Sequence, residues 1–354
     1  MNVNPKPSAK HHTYAPAKTN TLEGWPEVKG ADIEALLKKG KGCDGCIDID
    51  ALLKSYASTG FQATHLAQAV EIVRQMRKEK ATIFLTCTSN MITSGLRDVI
   101  RYLVQHKMID ALVTSAGGIE EDLIKAFKPF VIGSFDAAGK MLYNEGINRS
   151  GNIFVPNDRY VTFEDFIDPI LDELFEAQKG RGTNKQSGGA IDSCQLIVEL
   201  GNRLEKATSK KQASTSIIYW AAKNGVPVFC PCITDGSLGD LIFFQKQRHP
   251  DFQIDIAGDI YKIVKLCLNS DKTGVICLGG GTPKHYALNA QLFRDGCDYA
   301  VYVNTGSDYD GSDSGARPDE AISWGKIKAG GKSVKVTADA TIAFPLIVAG
   351  AFSK

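Results

Sequence analysis

The sequence predicts an α/β domain in which a mainly parallel sheet is flanked by helices, built as one large unit. Three observations predict it. Short apolar runs with β-forming residues recur at Thr82–Thr86, Ala111–Thr114, Pro227–Cys230, Val275–Leu278, Ala300–Asn304 and Val334–Val336. Segments of helical periodicity separate several of them, and strands that alternate with helices pair in parallel, because each helix carries the chain back to the start of the sheet. The third observation is size. A chain of 354 residues, 43% hydrophobic and 23% charged, can bury a large core, which excludes disorder over most of its length.

The elements follow in order from local composition. Residues 1–22 are polar and rich in Pro, Lys and His; they are expected to form a flexible arm, and without an apolar segment they do not read as a secretory leader. The arm is taken to extend through residue 28, leaving 29–354 as the domain. Residues 29–55 read as a helix, a Gly-rich turn and a second helical start. Leu66–Lys78 (LAQAVEIVRQMRK) carries the apolar stripe of a helix packed on one face, and Gly95–His106 and Tyr261–Leu268 share that periodicity. Residues 178–190 and 207–213 are Gly/Ser/Lys-rich and read as surface loops flanking one helix. Thr341–Phe352 is the most apolar stretch, but it is too short to span a bilayer and is interrupted by Pro345 and Gly350, so no membrane association is expected.

Charge and cysteine content narrow the function. Forty-one Lys+Arg against forty Asp+Glu gives +1, without the basic excess that a general nucleic-acid binder needs. The nine cysteines show no paired framework and read as reduced thiols of a cytoplasmic protein, many of them in the core. Cys43-x-x-Cys46 has no second pair and no His nearby, so it does not read as a zinc site. The acidic segment Asp308–Gly315 fails as a calcium loop, because Asp313 stands where Gly is required and Asp319 stands at the twelfth position. No metal is expected.

The strand ends carry the most information. Leu85 leads into Thr86-Cys87-Thr88-Ser89-Asn90, Val113 into Thr114-Ser115-Ala116-Gly117-Gly118, and Cys232 into Ile233-Thr234-Asp235-Gly236-Ser237. Leu278 leads into Gly279-Gly280-Gly281, Val303 into Asn304-Thr305-Gly306, and Val336 into Thr337-Ala338-Asp339. Ligands of open α/β sheets bind beyond the carboxyl ends of the strands, and small residues there let main-chain N–H groups approach phosphate and ribose. Six such ends imply a substantial cleft, suited to a dinucleotide. The spacing of the triple glycine departs from G-x-G-x-x-G, so such a ligand would be held by a variant geometry.

Downstream, Asp313, Asp319, Glu320 and Trp324 follow one another closely, with Asp235 and Asp240 at another strand end. Carboxylates beside an indole suit an aliphatic polycation: the carboxylates pair with ammonium groups and the ring covers methylenes. Lys326, in Ser323-Trp324-Gly325-Lys326, is a candidate nucleophile, since a Trp wall would depress its pKa and a neutral amine attacks an imine or carbonyl carbon. Gly325 gives backbone freedom there. His285, after the Gly-rich strand end, is a candidate proton shuttle.

These stretches carry a resemblance. Thr88-Ser89-Asn90, Gly95-Leu96-Arg97-Asp98, Arg101–His106, Ala116–Lys125, Gly146-Ile147-Asn148-Arg149, Pro231–Asp240 and above all Asp298–Lys326, where GSDSGARPDE precedes SWGK, resemble the deoxyhypusine synthase family over roughly residues 55–352. The resemblance implies a Rossmann-like fold, NAD as cofactor, spermidine as donor and the hypusine-containing translation initiation factor precursor as acceptor. It implies a homotetramer with active sites at the subunit interface. By matching motif, Asp240, His285, Asp313, Glu320 and Trp324 would bind spermidine, with Lys326 as nucleophile and Tyr302 lining the site. The NAD groups would be Ser89, Asn90, Thr93, Ser115, Ala116, Gly117, Glu121, Asp235, Gly281, Thr305, Gly306, Asp310, Ser314, Asp339 and Ala340. Thr93, Ser115 and Gly306 stand where the family usually has Ser, Thr and Ala, changes of one methyl group that should spare NAD binding. Two other readings remain at this level: a homospermidine synthase with putrescine as acceptor, and a catalytically silent activating subunit, against which the retained Lys326 and His285 argue.

Overall fold

The computed structural model describes residues 27–39, 47–180 and 190–352. Most of the expected arm, the Cys43/Cys46 pair and residues 181–189 lie outside them. Six strands form the main sheet: β1 (Thr82–Cys87), β2 (Ala111–Thr114), β3 (Val228–Phe229), β4 (Thr273–Leu278), β5 (Cys297–Asn304) and β6 (Ile327–Thr337). Their order across the sheet is β6-β5-β4-β1-β2-β3, and every neighbouring pair is parallel. Read from the other edge this is 3-2-1-4-5-6, the doubly wound order, and the chain changes winding direction between β1 and β4.

Alternation along each strand explains the two helical layers. On one face Ile83, Leu85, Leu112, Ile276, Leu278, Val301 and Val303 join one core cluster; on the other Phe84, Val113, Val275, Cys277, Ala300 and Tyr302 join a second. β4 (TGVICL) is buried at all six positions, as a central parallel strand covered on both sides must be. The first face is covered in part by α1 (Phe61–Lys78), whose buried Leu66, Ala69, Val70, Val73 and Met76 form one stripe. Each such aliphatic side chain contributes about 1.5–3 kcal/mol when fully buried. Gly274 of β4 belongs to this contact, since a Cβ there would lie 2.6 Å from Met76 Sδ.

Further helices that position the site are α2 (Ser89–Thr93), α3 (Leu96–Gln105), α4 (Ala116–Phe127), α5 (Asp158–Gly180), α6 (Ser193–Ala207), α7 (Ile217–Asn224), α8 (Ser237–Arg248), α9 (Ile256–Leu268), α10 (Gly281–Gln291), α11 (Pro318–Ser323) and α12 (Ala340–Ala351). A buried network locks α3, α4 and α7 together. Asp122 of α4 accepts from Arg97 Nε (2.7 Å), Ser216 Oγ (2.6 Å) and the Ile217 and Ile218 amides (2.9 and 3.0 Å), so one carboxylate neutralises a cation and caps a helix.

The structure corrects the sequence reading in three places. Residues 178–180, expected in a loop, are the end of α5, while 181–189 lie outside the described residues. Residues 207–213 are not a loop throughout: Lys210–Ala213 makes a helical turn, started by a capping box between Ser209 and Gln212. An antiparallel sheet of Val131–Ile132, Ile147–Ser150 and Ile153–Pro156 was not expected; it leaves Ile132, Phe135 and Tyr143 exposed. Thr341–Ala351 belongs to α12, with Phe352 as its C-cap; the helix packs against the core through Ala343, Phe344 and Ile347. Among the described residues no helix is long and apolar enough to cross a membrane, and the seven described cysteines are free, six of them buried.

Candidate active site

The Ser-Trp-Gly-Lys sequence is a helix stop. α11 opens with Pro318 at its first turn and closes at Trp324. Gly325 then takes φ +71°, its N–H bonding Ile322 O (2.9 Å) while the Lys326 N–H bonds Ala321 O (2.9 Å). This is the six-to-one and five-to-two pairing of a Schellman ending, which requires a left-handed residue where Gly stands. The freedom expected of Gly325 is thus spent on ending the helix. The chain turns directly into β6, the Lys326 carbonyl accepting from Cys297 N–H (3.0 Å). The half-buried Lys326 ammonium lies 5.9 Å from the Trp324 ring centroid.

A cavity of about 410 Å³ runs between α10, α11 and β5, and it brings together His285, Tyr302, Asp313, Glu320, Trp324 and Lys326. From His285 to Leu292, both on its wall, is seven residues of helix, or roughly 10 Å, so the cavity is long. Two polar atoms in it are buried without a partner in the protein, Asp313 Oδ2 and the Tyr302 hydroxyl. Burial drives the Tyr302 hydroxyl well above the usual phenol range, so it stays a donor. The Asn289 amide nitrogen lies 3.0 Å from Nδ1 of His285, whose ring is exposed. Asp240 does not line this cavity. It sits in the first turn of α8, where with Asp235 it raises the pKa of Glu120, a shift due first to burial.

The other expected residues gather at the carboxyl ends of the strands. Ser89, Asn90 and Thr93 lie on α2 after β1; Ser115, Ala116, Gly117 and Glu121 open α4 after β2. Gly281 opens α10 after β4, Thr305 and Gly306 follow β5, and Asp339 and Ala340 open α12 after β6. Close approaches explain several small residues. A Cβ on Gly117 would lie 2.7 Å from Ser89 Cβ, and one on Gly118 2.2 Å from Thr114 Oγ1. Gly279 and Gly281 take φ +78° and +65°. Ser314 Oγ accepts from Gly281 N–H (3.1 Å), Asp310 from Ser312 N–H (2.8 Å), and Asp339 caps α12 through Thr341 N–H (2.7 Å). Gly306 leaves no room for the methyl of the usual Ala, since a Cβ would lie 2.9 Å from Gly315 Cα.

Burial raises the Glu121 carboxyl to about 7, against a hydrogen bond from the Thr93 hydroxyl that favours the charged form. One turn on, Lys125 donates to the carbonyls of Ile92 (2.8 Å), Thr93 (2.5 Å) and Ser94 (3.1 Å), and burial lowers it to about 8. Sequence reasoning missed three supporting side chains. Glu120 accepts from Leu238 N–H (3.0 Å) at the start of α8, and the buried lysines 284 and 335 hold main-chain carbonyls of the acidic loop. Their partners are backbone atoms distant in sequence, which leave no pattern in composition.

The strand order, the glycine-lined strand ends and the cavity with its free carboxylate oxygen and amine define a Rossmann-like α/β enzyme. A family profile described as deoxyhypusine synthase matches residues 51–351. The chain is 48% identical over 330 residues to deoxyhypusine synthase of Caenorhabditis elegans, covering 86% of this chain and 85% of the relative. It is 46% identical to that of Senecio vernalis, covering 91% of each. A crystal structure of a candidate deoxyhypusine synthase from Entamoeba histolytica superposes with a TM-score of 0.61 at 29% identity, over 92% of this chain and 96% of that one. The chain belongs to the deoxyhypusine synthase family.

Proposed function

We propose that the chain transfers the aminobutyl group of spermidine to one lysine of the hypusine-containing translation initiation factor precursor, with NAD as a cofactor that is used and restored. The observation that carries this reading is the Asp313 carboxylate oxygen, buried and unpaired in an elongated cavity that also holds Lys326. An unpaired buried carboxylate oxygen costs about 1–3 kcal/mol or more, which an ammonium group offsets. Glu320 supplies a second negative charge, and the Trp324 face covers the methylenes between amines.

The residues present fit NAD. The winding reversal falls between Thr88 and Gly279, the cradles at Gly117 and Gly280 would be filled by any Cβ, and α10 begins at the same crevice. Ser89, Asn90, Thr93, Ser115, Ala116, Gly117, Glu121, Asp235, Gly281, Thr305, Gly306, Asp310, Ser314, Asp339 and Ala340 would hold it. When bound, NAD supplies a hydride acceptor for the carbon beside the secondary amine of spermidine and returns that hydride to the product.

The chain's own residues do the rest. Asp313 and Glu320 orient the polyamine, and His285 takes the proton that the secondary amine gives up. The Lys326 amine adds to the imine carbon; the C–N bond to diaminopropane breaks as that amine leaves with a proton, and the four-carbon imine stays on Lys326. The acceptor lysine then displaces Lys326 in the same way.

Lys326 pairs at the level of Cys297, seven residues and roughly 23 Å along β5 from the Asn304 end that faces the nucleotide groups. That separation, the 67% exposure of Trp324 and the absence of Asp240 from the cavity wall support a site completed between two copies, one copy's strand ends closing over another's Trp324, within the homotetramer that the family resemblance implies. The test is a trapping experiment. With NAD and spermidine, borohydride reduction should leave an aminobutyl adduct on Lys326, located by mass spectrometry; an adduct elsewhere refutes the nucleophile. Lys326→Ala should abolish transfer and keep NAD bound. Faster transfer to putrescine than to the factor precursor would indicate homospermidine synthesis instead, and no transfer by the lone chain would indicate an activating subunit.

A further inference from the structure

We propose that Lys335 is a positioning residue for the donor site: with Lys284 beside it, its buried ammonium closes the waist of the loop 305–317 and so presents the Asp313 carboxylate to the cavity. This rests on the reading of that cavity as a polyamine site. The loop joins β5 to α11 without helix or strand of its own, yet it carries Asp310, Asp313 and Ser314. A segment of that kind holds a fixed shape only if its main-chain polar groups find partners inside the protein.

The waist lies where Gly306 meets Gly315. A Cβ on Gly306 would be 2.9 Å from Gly315 Cα, and a Cβ on Gly315 would be 1.6 Å from the Ser307 carbonyl oxygen. Lys335 supplies the donors at this crossing: its Nζ donates to Gly306 O (2.9 Å), to Gly315 O (2.6 Å) and to the Asp308 carboxylate. All three ammonium protons are thereby spent on the loop. Lys335 is paired in register with Tyr302, so both side chains leave the same face of the sheet, and Tyr302 lines the cavity. Lys284 grips the loop further on, donating to Asp313 O and to Ala316 O (3.4 Å), with its ammonium 4.5 Å from the Tyr302 ring centroid.

Both lysines are at least nine-tenths buried, with 7% and 2% of their surfaces exposed. A buried cation is costly, and an apolar side chain of like volume would fill either place better if packing alone mattered. What the ammonium groups add is a fixed grip on carbonyl oxygens. Because they spend their protons on carbonyls and on Asp308, Asp313 Oδ2 remains unpaired and available to a substrate cation.

The test uses the full-length protein with Lys335→Met, and Asp308→Asn as a second variant that keeps the buried lysine. Amide hydrogen exchange across 305–317 should speed up about tenfold in Lys335→Met while the Thr82–Cys87 peptide stays protected. At saturating NAD the KM for spermidine should rise about tenfold with a much smaller change in kcat per folded site. Asp308→Asn should shift both in the same direction by less, and Lys335→Arg should restore part of each. Unchanged loop exchange, or an unchanged KM in a folded variant, overturns the proposal. Should Lys335→Met not fold, the Asp308→Asn result decides by the same criteria. Asp313→Asn separates the two levels. If it raises the spermidine KM and the Lys335 and Asp308 variants do not, the positioning role alone fails; if it leaves the KM unchanged, the polyamine reading fails and the proposal falls with it.

Discussion

A Cβ on Gly280 would lie 2.3 Å from Ser314 Cα, so the glycine-rich end of β4 and the acidic loop touch through their backbones. Gly280 takes φ −147°, which any residue can adopt, so the constraint is space alone. Gly280→Ala must push the loop off α10 and disturb the Ser314 to Gly281 bond. The expected outcome is weaker NAD binding by about tenfold or more, read by equilibrium titration, with melting temperature lowered only a few degrees. Undiminished NAD affinity would show that this contact does not shape the crevice.

Gly325→Ala tests the helix stop. An L-residue at φ +71° costs about 1–2 kcal/mol, and relief of that strain unwinds the last turn of α11. The Lys326 amine should lose its place beside Trp324, so adduct formation should slow more than tenfold while spermidine still binds. Stopped borohydride trapping measures the first, equilibrium dialysis the second.

Asp122→Ala removes the anion that serves Arg97 and the start of α7 at once. A buried guanidinium without its partner and two uncapped amides should cost about 3–5 kcal/mol, seen as a lower urea midpoint with the slope unchanged. Asp122→Asn keeps some acceptor capacity and should cost less.

Asp259 gives the pH dependence its sign. Burial first, then the neighbouring Asp192 charge, raises its carboxyl to about 7, against hydrogen bonding from Cys194 N–H that favours ionisation. The folded state therefore keeps this proton over a range where the unfolded chain, with a carboxyl near 3.9, has lost it. Stability from this group is full below about pH 4 and falls as pH rises to about 7, on the order of 1.4 kcal/mol per unit. Asp259→Asn should flatten that limb in urea melts between pH 5 and 8; an unchanged slope counts against the assignment.

The sheet was legible because its strands are short apolar runs closed by small residues, and all six expected runs fall within strands or overlap them. β6 is longer than the expected Val334–Val336, since Lys328–Ser333 (KAGGKS) carries no apolar run, while the structure has a register break there and pairs the rest with β5. The antiparallel excursion escaped notice because Ile147–Ser150 (INRS) has neither an apolar run nor strict alternation. In the site, Glu320, Trp324 and Lys326 lie together because one helix and its stop carry them, a proximity that short spacing makes visible. Lys335, Lys284 and Glu120 were invisible for a different reason: each acts mainly on carbonyl or amide groups supplied by the fold, and main chain has no signature in a sequence.

The turn at Gly325 sets the direction in which residue 326 leaves the backbone, so the starting point of the Lys326 side chain is written in main-chain torsions. Side chains along the groove can change without moving the point from which residue 326 departs. A redesign that keeps Ala321 to Lys326 as a block and rewrites the walls would start with the departure of residue 326 already set.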